Sequence, residues 1–161
     1  MLKYISYDIV FQEIPEEITL AVNISGCTIR CKDCHSPHLQ EDIGEPLTRE
    51  ALSHLINRYG NAITCICFMG GDSAPHEILR LAQFVRKQTS ANIKTAWYSG
   101  RSSLLDEFSI DCFDYIKTGK YIARLGGLNS LTTNQRLYRI ANREMIDITA
   151  YFHNNNFKQK Q

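Results

Sequence analysis

Apolar positions along the chain follow two periods, and the switches between them divide it into strands and helices. Residues 18–25 (ITLAVNIS) form an apolar, β-branched run that predicts a buried strand stopping at Gly26. Leu47, Ala51, Leu52, Leu55, Ile56 and Tyr59 then recur at helical spacing, with Thr48 as N-cap, Glu50 in the first turn and Gly60-Asn61 at the end. A second buried strand spans 63–68 and closes on Gly70-Gly71-Asp72. Pro75 suits a helix N1 position, and Ile78, Leu81, Ala82 and Val85 form one apolar stripe behind it. Residues 93–98 predict a third strand ending at Ser99-Gly100, 104–108 a short helix, and 113–116 a fourth strand ending at Thr118-Gly119. Residues 121–136 form a long loop containing Gly and Asn. Beyond it, Ile146, Ile148, Ala150 and Phe152 alternate with Asp147, Thr149 and Tyr151, as in a half-buried strand. The polar tail, 153–161, is expected to fray.

Strand, loop and helix thus repeat with short connections, the pattern of a parallel α/β sheet with right-handed crossovers. A complete eight-fold barrel needs ~250 residues, so 161 residues imply a partial, open β/α barrel in a single domain, 1–161. Hydrophobic residues make up 43% and charged ones 22%, a globular composition. Eighteen Lys and Arg against seventeen Asp and Glu leave +1, which argues against a large footprint for duplex nucleic acid. The longest apolar stretch, 62–69, is far below the ~20 residues of a membrane span. The N-terminus turns acidic where a signal peptide is apolar. A cytoplasmic protein is expected.

Six cysteines change that picture. In a cell's reducing interior, clustered thiols point to metal or redox chemistry instead of disulfides. Cys27-x₃-Cys31-x₂-Cys34 places three soft ligands on the loop after the first strand, enough to wrap zinc or an iron–sulfur cluster. Zinc wants a fourth ligand, which His35 or His38 supplies in a Cys₃His set. A cubane held by three cysteines keeps one iron free. Spacing alone serves both equally. Cys65 and Cys67 lie in one apolar strand, are expected on its opposite faces, and read as core thiols, as does Cys112.

In open α/β sheets, ligands bind outside the carboxyl ends of the strands. Three segments end strands there: SGCTIRCKDCHSP, GGDSAP and YSGRSS. Gly70 and Gly71 let a ligand approach the backbone, and the Asp72 carboxylate offsets an ammonium group. By itself Gly-Gly-Asp is equally a tight turn capping the next helix. One βα unit after a three-cysteine loop, it is more specific.

With those two motifs together, the chain resembles the radical S-adenosylmethionine (SAM) superfamily. The SGC…CHSP context and YIKTGKYIARLGGLNSLTTNQRLYR further resemble the activating proteins of anaerobic (class III) ribonucleoside-triphosphate reductase, from about residue 22 to 152. The resemblance implies that Cys27, Cys31 and Cys34 bind a [4Fe–4S] cluster whose open iron takes the amino and carboxylate groups of SAM. It implies that Gly70, Gly71 and Asp72 meet the methionine ammonium, and that Asp33 and His35 lie near the nucleoside. Many superfamily members carry an aromatic residue where this chain has Asp33. Ser99 is placed to touch ribose. No side chain is assigned acid–base catalysis, because the chemistry belongs to the cofactor. The implied partners are the reductase, which receives a glycyl radical, and a low-potential electron donor such as flavodoxin; neither nucleic acid nor membrane is implied. Two rivals are a small radical SAM enzyme of the 7-carboxy-7-deazaguanine synthase type, disfavoured by TTNQR, and a non-catalytic Cys₃His zinc module. Trp97 is expected in the core, His54 and His76 at the surface, Lys117 at the surface or, from the end of the fourth strand, within reach of the SAM pocket, and Arg136 and Arg139 at the partner interface or in solvent.

Overall fold

The computed structural model describes residues 1–90 and 92–154. Eight strands form one sheet in the order β3-β1-β2-β4-β5-β6-β7-β8. Its centre is parallel: β2 (Thr19–Ile24), β4 (Cys65–Met69), β5 (Lys94–Tyr98) and β6 (Tyr115–Thr118) run the same way. Antiparallel strands complete both sides, β1 (Lys3–Val10) with β3 (Glu45–Pro46) on one, β7 (Arg136–Ala141) with β8 (Glu144–Asp147) on the other. The parallel strands therefore deliver their following loops to a single edge.

The apolar stripes seat α1 (Arg49–Tyr59) and α2 (Pro75–Gln88) on one face of the sheet, against Val22, Ile66, Phe68, Trp97 and Ile116. Thr48 caps α1 by accepting from the Ala51 N–H at 3.1 Å, and Gly60 is its C-cap. The other face carries Cys65, Cys67, Ala96, Tyr115 and Leu137, covered by Ile14 and, in part, by Leu128 and Phe152. Cys65 and Cys67 share this face, which corrects the expectation of opposite faces: side chains two apart on a strand point the same way.

Three further expectations change. Residues 104–108 form a turn at 106–107 instead of a helix; Phe108 packs tilted on Trp97 at 5.1 Å and stacks on Phe113 at 5.9 Å, so tertiary ring contacts set this segment. The alternation over 146–152 stops at Asp147, whose carboxylate accepts from the Thr149 N–H at 2.9 Å, and α3 (Ala150–Asn154) follows. His153, assigned to a fraying tail, ends in this helix with Nε2 3.1 Å from the Leu128 carbonyl; the rest of that tail, from 155 on, lies outside the described residues. No helix among the described residues is long and apolar enough to cross a membrane.

Candidate functional site

The loop after β2 is wound tightly by left-handed residues, Gly26 at φ 70°, Arg30 at 47° and Asp33 at 60°. Its base is closed by two backbone bonds of 2.9 Å, Gly26 N–H to Glu41 O and Cys27 N–H to Leu39 O. Ring closure of this kind holds irregular backbone in place without a strand or helix. Cys27, Cys31 and Cys34 are all half-buried free thiols on it, and the Ser36 N–H donates to Cys34 Sγ at 3.4 Å. Peptide N–H donors to sulfur are a lever on cluster potential. A [4Fe–4S] cubane engages each thiolate at a different iron, and three free, half-buried thiols on one wrapped loop are the soft donor set such a group takes. His35 is turned to Tyr121, ring centroids 4.3 Å apart, and His38 is exposed.

The next loop lies directly alongside. Gly70 and Gly71 have φ of 100° and 86°, the left-handed region where a side chain is strained. A Cβ at Gly71 would stand 2.5 Å from Ile78 Cδ1, and one at Gly70 3.2 Å from the Ile24 carbonyl oxygen. These glycines thus let the turn sit on α2 and β2; the space their missing side chains leave is occupied by protein. The peptide groups of the turn are the part able to meet a ligand. Trp97 Nε1 donates to the Gly70 carbonyl at 2.8 Å, and the Gly70 N–H donates to Tyr98 O at 3.0 Å.

Asp72 is 2% exposed. Its carboxylate accepts from the Ser99 hydroxyl and, at 2.9 Å, from the Gly100 N–H, and Arg101 Nε stands 3.8 Å away. Arg101 also donates through Nη2 to the Asp72 carbonyl at 3.0 Å. Ser99 is 1% exposed. In this structure both side chains, expected against an ammonium and a ribose, tie the second loop to the third. The cysteine loop joins them through Ile29, whose Cγ1 lies 2.7 Å from where a Gly100 Cβ would be. The three loops expected at one edge are thus linked there through the third.

Lys117, at the end of β6, is buried at 8% exposure, contrary to the surface position expected. Its Nζ donates to the carbonyls of Gly119 at 2.6 Å and Ser99 at 3.4 Å. Burial pushes its ammonium down to about 8, while Asp72, Cys31 and Cys27 pull the other way. The sequence marks Lys117 at a strand end but favours the surface for it, and it gives no sign of Arg101, because only the parallel register places both beside the other loops. Trp97 is in the core, and His54 and His76 are exposed, as expected.

Asp33 is exposed and lines a cleft of about 620 Å³ between the cysteine loop and residues 120–124. Cys31 opens onto the same cleft. Behind it the TTNQR segment straps the chain: Gln135 Nε2 donates to Gly119 O at 3.3 Å and Asn134 Nδ2 to Lys120 O at 3.0 Å. Arg136 bonds the Thr133 and Gln135 carbonyls and sits 3.6 Å from Asp147, whereas Arg139 is exposed.

No curated protein and no solved structure matches the chain. Residues 17–140, which span the cysteine loop, the Gly-Gly-Asp turn and most of the sheet, match the family described as 4Fe-4S single cluster domain. The chain therefore belongs to that family of iron–sulfur proteins.

Proposed function

We propose that this protein is a radical SAM enzyme, a partial β/α barrel that activates anaerobic ribonucleoside-triphosphate reductase. The observation that carries the reading is a chain of contacts at the carboxyl ends of parallel strands: the three-cysteine loop meets the Ser99-Gly100 loop through Ile29, and that loop is tied to Gly70-Gly71-Asp72 through the Asp72 carboxylate. When bound, a reduced [4Fe–4S] cluster supplies the low-potential electron for cleaving SAM and so for removing hydrogen from a glycine of the reductase.

The chain's own residues do the rest. Cys27, Cys31 and Cys34 hold the cluster, and the Ser36 N–H offsets charge on the Cys34 sulfur. Peptide groups of the Gly70-Gly71 turn face the methionine end of SAM. Asp72 acts chiefly by fixing Ser99, Gly100 and Arg101, with its negative charge close enough to favour an ammonium group. Asp33 and His35, flanking Cys34, border the nucleoside. Lys117 places a buried positive charge under the same edge, where it favours the anionic thiolates.

Anaerobically reconstituted protein, reduced and mixed with SAM and the class III reductase, should give a glycyl doublet by electron paramagnetic resonance. Omitting SAM or replacing Cys31 should remove it. SAM cleavage without a glycyl signal, together with turnover of a pterin-like small molecule, would transfer the assignment to the 7-carboxy-7-deazaguanine synthase type. A colourless, iron-free protein would end the radical reading altogether.

A further inference from the structure

The cleft beside Cys31 has a charge pattern that cluster and SAM binding leave unexplained. Arg30, Lys32, Lys120 and Arg124 line it against a single carboxylate, Asp33, on a chain whose overall formal charge is only +1. All four cations are exposed, and among the described residues none of their side chains makes a hydrogen bond or ion pair. Like charges gathered without partners repel one another and attract an oppositely charged ligand over distances beyond contact. SAM, itself carrying a sulfonium, is not that ligand.

The form of the cleft decides between kinds of anion. The half-buried part of its lining is Ile29, Tyr121 and Ile122 beside Cys31, with the charged residues exposed around it. None of the lining residues is a buried polar group turned inward, as a dedicated phosphate site would offer. Half-buried apolar residues inside an exposed charged rim are the anatomy of a protein-docking surface.

We propose that this cleft docks an acidic segment of the protein substrate. An apolar side chain of the segment sits on Ile29, Tyr121 and Ile122, while Arg30, Lys32, Lys120 and Arg124 meet its carboxylates. The identity of that substrate rests on the glycyl-radical reading above; the docking chemistry rests on the cleft. Because Cys31 opens onto the same cleft, a segment held there lies next to the cluster loop, where a substrate glycine must be brought for hydrogen transfer.

The test uses the full chain with its cluster reconstituted, and two separate readouts. Calorimetry with the class III reductase at low and high salt measures docking; SAM cleavage by chemical reductant, without reductase, measures the cofactor site. The double variant K120E/R124E should bind the reductase about tenfold more weakly at low salt, and its affinity should lose the salt dependence of the wild type. The conservative pair K120R/R124K should bind like wild type, and SAM cleavage should stay within about twofold in both. Equal reductase affinity for K120E/R124E and wild type would overturn the proposal. So would loss of SAM cleavage in that variant, which would make the cleft part of the cofactor site. Saturable binding of inorganic triphosphate that K120E/R124E abolishes, with reductase binding intact, would assign the cleft to a phosphate ligand and overturn it as well. Wild-type protein that docks the reductase salt-dependently but never cleaves SAM would refute the radical reading while supporting the docking surface.

Discussion

The six cysteines fall into two environments, and comparing them explains why only three are suited to a metal centre. Cys27, Cys31 and Cys34 are half-buried on an irregular loop at the open edge of the sheet. Cys65, Cys67 and Cys112 are buried in the core. There burial pushes the Cys65 and Cys67 thiols far above the ordinary range and that of Cys112 up to about 12, so all three stay protonated at neutral pH. A ligand must be a thiolate. Cys67 Sγ instead lies 3.5 Å from Met69 Sδ, and Cys112 Sγ 3.9 Å from the Leu79 carbonyl, the contacts of small apolar side chains. The same residue type is a ligand or a filler according to what surrounds it.

The strongest way to break this comparison is to remove loop thiols. Cys27→Ala, Cys31→Ala and Cys34→Ala should each abolish the cluster and SAM cleavage, measured as iron and sulfide per chain after reconstitution, because an iron loses its protein ligand. A core variant that lost iron as fully would erase the distinction.

Gly71→Val comes next and acts through the fold. The φ of 86° strains any side chain, and its Cβ meets Ile78 Cδ1 at 2.5 Å; together these cost about 3–5 kcal/mol. Denaturant melts should show that loss. A Gly71→Val protein of native stability that fails only to bind SAM would instead mean that the space at this glycine serves the ligand. Asp72→Ala should cost about 2–4 kcal/mol, since it strips partners from Ser99, Gly100 and Arg101 in a buried network. Its SAM affinity should fall with it, and Asp72→Glu, which keeps the charge but not the fit, should recover only part.

The smallest effects belong to the core thiols. Cys65→Ala and Cys67→Ala should leave iron content at the wild-type level and destabilise by about 1–2 kcal/mol, the cost of truncating a buried side chain. Alkylation of native, cluster-free protein sharpens the same contrast. At pH 8 the loop thiols should react in minutes and Cys65, Cys67 and Cys112 only on unfolding, because inaccessible protonated sulfur is unreactive.

Much of this was legible in the chain itself. Thr48 and Pro75 mark helix starts through backbone chemistry that operates within one turn. The apolar runs that became β2, β4 and β5 are legible because strands buried on both faces are continuously hydrophobic. The edges were not. β1 has no fully buried residue, β3 has two residues, and β7 begins inside what looked like loop, so each exists by pairing with a neighbour more than by its own pattern. The turn within 104–108 likewise follows from the packing of Phe108 against Trp97 and Phe113.

For the site, the spacing of Cys27, Cys31 and Cys34 and the Gly-Gly-Asp turn identify thiophilic chemistry, because ligand type and reach are local properties of a short loop. Only the tertiary structure decided what the other groups do. It turned Asp72 and Ser99 toward each other, buried Lys117 beneath the loops, and set the Gly71 turn on Ile78. It also gathered Arg30 and Lys32 opposite Lys120 and Arg124, about ninety residues apart in the chain. Contacts between distant segments depend on the parallel register of β2, β4, β5 and β6, and a register is set by packing of the whole sheet, which no local stretch encodes.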